Sequence, residues 1–179
     1  MAINEKFSEQ LNHQVNAEHQ AALIYTQLAY ELDQLSLVGM RDWMFAQAAE
    51  EREHAQKFAD HLLDRGERVL LKEIDVPELK VGSALEAFEH SLSHERKVSE
   101  MIRELVRTAD QVGDIDSRSV LNWFLSEQIE EEASVEEIIE RIKLVGNDGA
   151  GLLRIDGELG QRDPCLLYTS DAADDTINV

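Results

Sequence analysis

Five side chains of this 179-residue chain have the types and spacing to do chemistry together: Glu18, Glu51, His54, Glu95 and Glu131. Each glutamate interrupts a series of apolar residues that recurs every three or four positions. Glu18 falls within Phe7, Leu11, Val15, Ala22, Tyr25, Ala29 and Leu32, and Glu51 within Met44, Ala48, Ala55, Phe58 and Leu62. Glu95 falls within Leu85, Phe88, Leu92, Ser99, Ile102, Val106 and Ala109, and Glu131 within Leu121, Phe124, Gln128, Val135, Ile138, Ile142 and Val145. His54 follows Glu51 by three residues and so shares its face of a helix. Carboxylates and an imidazole aimed into a core are expensive unless something compensates them, because an unpaired buried charge costs several kcal/mol against a total stability of about 5–15 kcal/mol. No lysine or arginine occurs in the four series, whereas two divalent cations would neutralise four carboxylates. Oxygen donors with one imidazole favour iron or manganese over zinc, whose structural sites prefer cysteine and histidine. A pair of iron(II) ions sharing bridging carboxylates can pass electrons to oxygen.

The elements that must position these residues follow from the same periodicity, which marks helices burying one face in a bundle. Helices are expected over 5–34, 38–65, 84–111 and 117–145. Ser83 with Glu86 has the form of a capping box, Asp116 is the expected N-cap of the fourth helix, and Gly66, Gly113 and Gly146 fall where a helix ends. Each glutamate lies near the middle of its helix, so packed helices bring all four to one level. Short connections make antiparallel hairpins of helices one and two and of three and four. The stretch 66–83, extended at about 3.3 Å per residue, is long enough to cross a bundle whose helices are about 40 Å long. The chain is therefore expected to be all-α: a four-helix bundle with one long crossover and a short fifth helix carrying Leu152, Leu153, Ile155 and Leu159. Residues 1–160 form this one domain. Residues 161–179 lack the period, hold Cys165, and read as a non-native or disordered tail.

Composition narrows the function classes. A net charge of −20 argues against nucleic acid, which requires a basic surface, and suits a protein that attracts cations. No run approaches the ~20 apolar residues of a membrane span. A single cysteine and an N-terminal MAINEKFSEQ without an apolar stretch lead to the expectation of a cytoplasmic protein.

Four segments, Gln10–Leu28, Glu50–Gln56, His94–Glu95 and Ser126–Glu132, resemble bacterial non-haem ferritin in order and spacing, over roughly residues 5–160. The resemblance implies a ferritin-like four-helix bundle that assembles with itself into a hollow shell of twenty-four subunits, oxidises iron(II) with oxygen or peroxide at a di-iron ferroxidase centre, and stores ferric mineral. Carried over by position, it implies that Glu18, Glu51 and His54 hold the first iron and that Glu51 bridges to a second, completed by Glu95 and Glu131. Gln128 matches a glutamine near the oxygen-binding face, and Tyr25 a tyrosine that can donate an electron. Glu50, Glu127 and Glu130, with Glu131, match a third iron site. The haem-binding relatives carry a methionine immediately after the bridging glutamate. Arg52 stands there, so no haem is expected, and Glu127 followed by Glu130 replaces their second Glu-x-x-His. Two other functions fit parts of the pattern: a ferritin-like di-iron oxidase or peroxidase that stores no mineral, and a metal-free helical scaffold. The remaining histidines, His13, His19, His61, His90 and His94, are expected at the surface or at helix edges.

Overall fold

Four long helices and one short one account for the architecture of the computed structural model, which describes residues 3–161. They are α1 (Glu5–Gln34), α2 (Val38–Asp64), α3 (Ala84–Val112), α4 (Arg118–Val145) and α5 (Gly149–Leu159). The expected tail and Cys165 fall almost wholly outside the described residues. Among the described residues, no helix is long and apolar enough to cross a membrane.

The helix ends show why the elements start and stop where they do. Asn4 accepts the Phe7 N–H and opens α1, and Ser83 accepts the Glu86 N–H at 3.2 Å and opens α3. The Glu86 carboxylate takes the N–H of Gly82, one residue before the position a capping box would give it. Gly113 ends α3 with φ +72°, in the left-handed region where a side chain would be strained. The start of α4 departs from expectation, since Asp116 caps nothing there. Asp114 instead accepts the Ser117 N–H at 3.0 Å and is gripped by both guanidinium nitrogens of Arg65 at 3.0 and 3.2 Å. Asp116 lies more than half exposed and 3.7 Å from the same arginine.

The crossover from α2 to α3 is held to α1 by side-chain amides that stand in for a neighbouring strand. Asn12 takes the Leu70 N–H at 2.7 Å and donates to the Arg68 carbonyl at 3.0 Å. One turn later Asn16 does the same for Lys72 and Leu70, at 2.8 and 2.9 Å. Gln20 continues the row to the Asp75 carbonyl. Backbone groups that would otherwise need a sheet partner are thus satisfied along the helix.

The core consists of two apolar halves with a polar layer between them. One half is built around Leu28, Leu32, Trp43, Met44, Phe88 and Ile138, the other around Phe7, Leu11, Phe58, Ile102, Leu121 and Phe124. Each fully buried large side chain stabilises by about 1.5–3 kcal/mol, so the two halves clamp the four helices at both ends of the layer. α5 docks on the start of α2, where Asp156 Oδ1 accepts the Met40 N–H at 2.8 Å. Gly39 permits this approach: a Cβ there would stand 1.8 Å from the Asp156 carbonyl oxygen. Gly39→Ala is therefore expected to displace α5 and cost about 1–3 kcal/mol, measured as a fall in denaturation midpoint. An unchanged midpoint would mean that α5 shifts freely on α2.

Candidate metal centre

The polar layer collects one buried glutamate from each long helix. Glu18 is 1% exposed, Glu51 2%, Glu95 0% and Glu131 7%, and His54 beside them is 5% exposed. The interrupted stripes thus face the core as expected, and no side-chain ammonium or guanidinium is hydrogen-bonded to any of the four carboxylates among the described residues.

Two groups of potential ligands result. In the first, ligand atoms of Glu18, Glu51 and His54 lie within 4.8 Å of one another. Gln14 Nε2 donates to Glu18 Oε1 at 2.8 Å, while Glu18 Oε2 is buried without a hydrogen-bond partner. In the second, ligand atoms of His54, Glu127 and Glu131 meet the same distance limit. His54 stands between the groups, its Nδ1 3.3 Å from Glu51 Oε2 and its Nε2 4.0 Å from Glu127 Oε1. The ring is held edge-on by Trp123 and Phe124, both with centroids 5.6 Å away.

Glu95 belongs to neither compact group. Its carboxylate accepts from the Tyr25 hydroxyl and, at 3.2 Å, from Gln128 Nε2. The Tyr25 hydroxyl in turn accepts from Ser91 at 2.9 Å. Glu131 Oε2 accepts from Gln47 at 2.7 Å. Of the flanking acids, Glu50 is 8% exposed and Glu127 half-buried, while Glu130 is exposed. The structure therefore draws Glu50 and Glu127 inward and leaves Glu130 at the surface. Arg52 and Glu53 face solvent.

The electrostatics describe a site short of positive charge. Burial first, then repulsion from Glu51, holds the Glu18 carboxyl well above the usual range, and Glu51 is raised by burial and by Glu95 and Glu131. Glu131 is pushed up to about 8 by burial, with Glu95 and Glu50 adding to it. Burial also raises Glu95, against the hydrogen bonds from Tyr25 and Gln128. Without a cation, all four carboxyls favour the protonated form more than usual, and Glu131 keeps its proton at neutral pH. A divalent cation in their midst would reverse that preference. The donor set fits such an ion: several oxygens, one imidazole, and a buried Glu18 oxygen whose near neighbour is the Glu51 carboxyl rather than an N–H or hydroxyl.

A family model for the ferritin-like domain matches residues 8–145. The chain belongs to the ferritin-like family. A bacterial non-heme ferritin of Bacteroides fragilis (strain 638R) is 36% identical over 160 residues, spanning 89% of this chain and 99% of its own length. One of Staphylococcus aureus (strain MRSA252) is 37% identical, over 89% of this chain and 96% of its own. Among solved structures, an open-pore ferritin from the archaeon Archaeoglobus fulgidus is similar with a TM-score of 0.89 and 41% identity, covering 90% of this chain and 100% of that one. A form of that archaeal ferritin engineered to be closed matches with a TM-score of 0.88 and 42% identity, covering 90% and 99%.

For this ferritin-like chain the sequence reading passed over Gln14, Gln47 and Ser91, which hold the carboxylates and Tyr25. A signal for the two glutamines was present, since each precedes a stripe glutamate by four residues: Gln14 before Glu18 and Gln47 before Glu51. His94 is half-buried on α3. Burial lowers it to about 4, and its Nε2 has no hydrogen-bond partner. His61 is half-buried and shares a hydrogen bond with Ser117 Oγ at 2.8 Å.

Proposed function

We propose that this chain is an iron-storing ferroxidase: it oxidises iron(II) in the polar layer and keeps the ferric product as mineral inside a shell of its own copies, twenty-four as the resemblance implies. The observation that carries this reading is the buried, unpartnered Glu18 Oε2 in a group with Glu51 and His54 whose ligand atoms lie within 4.8 Å. Similarity to non-heme ferritins over most of the chain supports it.

In this reading Glu18, Glu51 and His54 hold one iron(II) and Glu51, Glu95 and Glu131 the second. Glu50 and Glu127 on the flank, with Glu130 outside, form a third position leading away from the layer. The contact of His54 Nε2 with Glu127 supports such a path, because it places the imidazole between the inner and outer acids. Gln128 lies against Glu95, where it can orient the oxidant. Two iron(II) ions supply two electrons. Dioxygen takes both with two protons to give hydrogen peroxide, and peroxide takes both with two protons to give two waters. Tyr25, hydrogen-bonded to Glu95, can replace one iron(II) as donor of one of the two electrons, its proton passing to that carboxylate. Burial and three nearby carboxylates raise the tyrosine well above its ordinary range, so it stays protonated until oxidised. Arg52 stands where a haem-ligand methionine would be needed, and no haem is part of this function.

Aerobic addition of iron(II) in large excess over chains, followed by size and iron analysis of the protein peak, tests the reading. A large soluble particle holding most of the iron is expected. Saturation at two irons per chain would identify a di-iron oxidase without storage, and no bound iron a scaffold.

A further inference from the structure

Gln14 and Gln47 are 1% and 0% exposed. Each sits four residues before a core glutamate on its own helix, yet they serve different partners. Gln14 Nε2 donates along α1 to Glu18 Oε1 at 2.8 Å, the i, i+4 geometry of a helix face. Gln47 Nε2 reaches another helix. It crosses from α2 to α4 and donates to Glu131 Oε2 at 2.7 Å. In each case one carboxylate oxygen is taken by the protein. For Glu18 the other oxygen is the buried atom with no hydrogen-bond partner.

We propose that Gln14 and Gln47 are positioning residues of the metal centre, each engaging one oxygen of a glutamate so that the other faces a divalent cation. Gln14 sets Glu18 for the position it shares with Glu51 and His54, and Gln47 sets Glu131 for the position it shares with Glu51 and Glu95. The inference rests on the cation-site reading above.

The residue type supports the role. A lysine or arginine in either place would neutralise the carboxylate and compete with the cation. A carboxamide N–H eases the burial of the anion and leaves its charge intact. Both hydrogen bonds favour the ionised form of their glutamates. Side-chain length matters as well, because a carboxylate free to spin offers either one oxygen or two, and a fixed donor selects one. The two glutamines act on glutamates of different helices, Glu18 on α1 and Glu131 on α4, so their effects should be separable.

Anaerobic titration of cobalt(II), whose visible absorption reports its coordination, tests this on the assembled protein. Gln14→Met and Gln47→Met keep length and approximate volume and remove the donor. Loss of such a supporting hydrogen bond weakens metal affinity about 10–100-fold. Gln14→Met is expected to weaken one cobalt step by that factor and alter its spectrum, leaving the other step as in the wild type. Gln47→Met is expected to do the reverse. Two unchanged steps in both variants would overturn the positioning role while leaving the cation site standing. Equal weakening of both steps, with a lower unfolding temperature of the cation-free variant, would overturn it in favour of a packing role. A wild-type protein that binds no cobalt would instead remove the cation-site reading on which the proposal rests.

Discussion

Glu51→Ala is expected to slow the initial aerobic oxidation of iron(II) by roughly 100-fold or more while the variant still assembles to the wild-type particle size. Supporting residues around a metal typically cost 10–100-fold when removed, so a ligand common to two positions should cost at least as much. Glu51 has that central place. It lies within ligand distance of Glu18 and His54, and its charge is felt by Glu18 and Tyr25 and coupled to Glu95 and Glu131. The fold should tolerate the change, because alanine is the best helix former and the substitution removes a buried charge that repels its neighbours. Initial rates from ferric absorbance, with light scattering for size, make the measurement. Glu53→Ala, two residues away but solvent-facing, is the control expected to match wild type. An unchanged rate in Glu51→Ala would exclude the polar layer as the site of oxidation. Loss of the particle would show that Glu51 is structural.

Glu131→Gln should make the cation-free protein more stable than wild type at pH 9, by up to about 5 kcal/mol, and no more stable at pH 4. The Glu131 carboxyl is raised from an ordinary 4.5 to about 8, first by burial and then by Glu95 and Glu50. Its folded form therefore keeps a proton that the unfolded chain releases above about 4.5. Such a group contributes stability that is fully present below 4.5 and is lost as pH rises through about 8. Glutamine mimics the protonated carboxyl at every pH and keeps the neighbouring Gln47 supplied with an acceptor. Glu18, Glu51 and Glu95 are shifted in the same direction, so wild type itself should lose stability over this window after chelator treatment. Saturating manganese(II) should restore it in wild type and do less in Glu131→Gln. Thermal unfolding at pH 4 and 9, with chelator and with manganese, reads all of this. A wild-type protein equally stable at both pH values without metal would contradict the buried-charge account.

Much of the fold was legible because a helix burying one face writes its contacts into a 3.6-residue period. The helices α1, α2 and α3 begin where the pattern placed them, α4 one residue later, and the positive-φ glycines 66, 113 and 146 lie where the stripes stop. Capping was less legible. Asp114 and Asp116 have equal propensity for the start of α4, and only the position of Arg65, brought in from the end of α2, selects Asp114.

The site divides along the same line. Sequence by itself determined that Glu18, Glu51, Glu95 and Glu131 share one buried level, that His54 accompanies Glu51, and that the stripes carry no cation of their own. These facts follow from helical period and helix length. The tertiary structure alone decided which atom meets which. Glu50 lies about 100° around α2 from Glu51, a flank that reads as solvent on an isolated helix, yet it is buried at 8% exposure within the packed bundle. His54 meets Glu18 and Glu51 in one group, and only the packing turns its other ring nitrogen toward Glu127 as well. Gln47, spaced to serve Glu51, hydrogen-bonds Glu131 from across the core. Period fixes the face on which a side chain emerges. Its partner on another helix depends on how the helices rotate and approach, and that is set by the two apolar halves that clamp the polar layer between them.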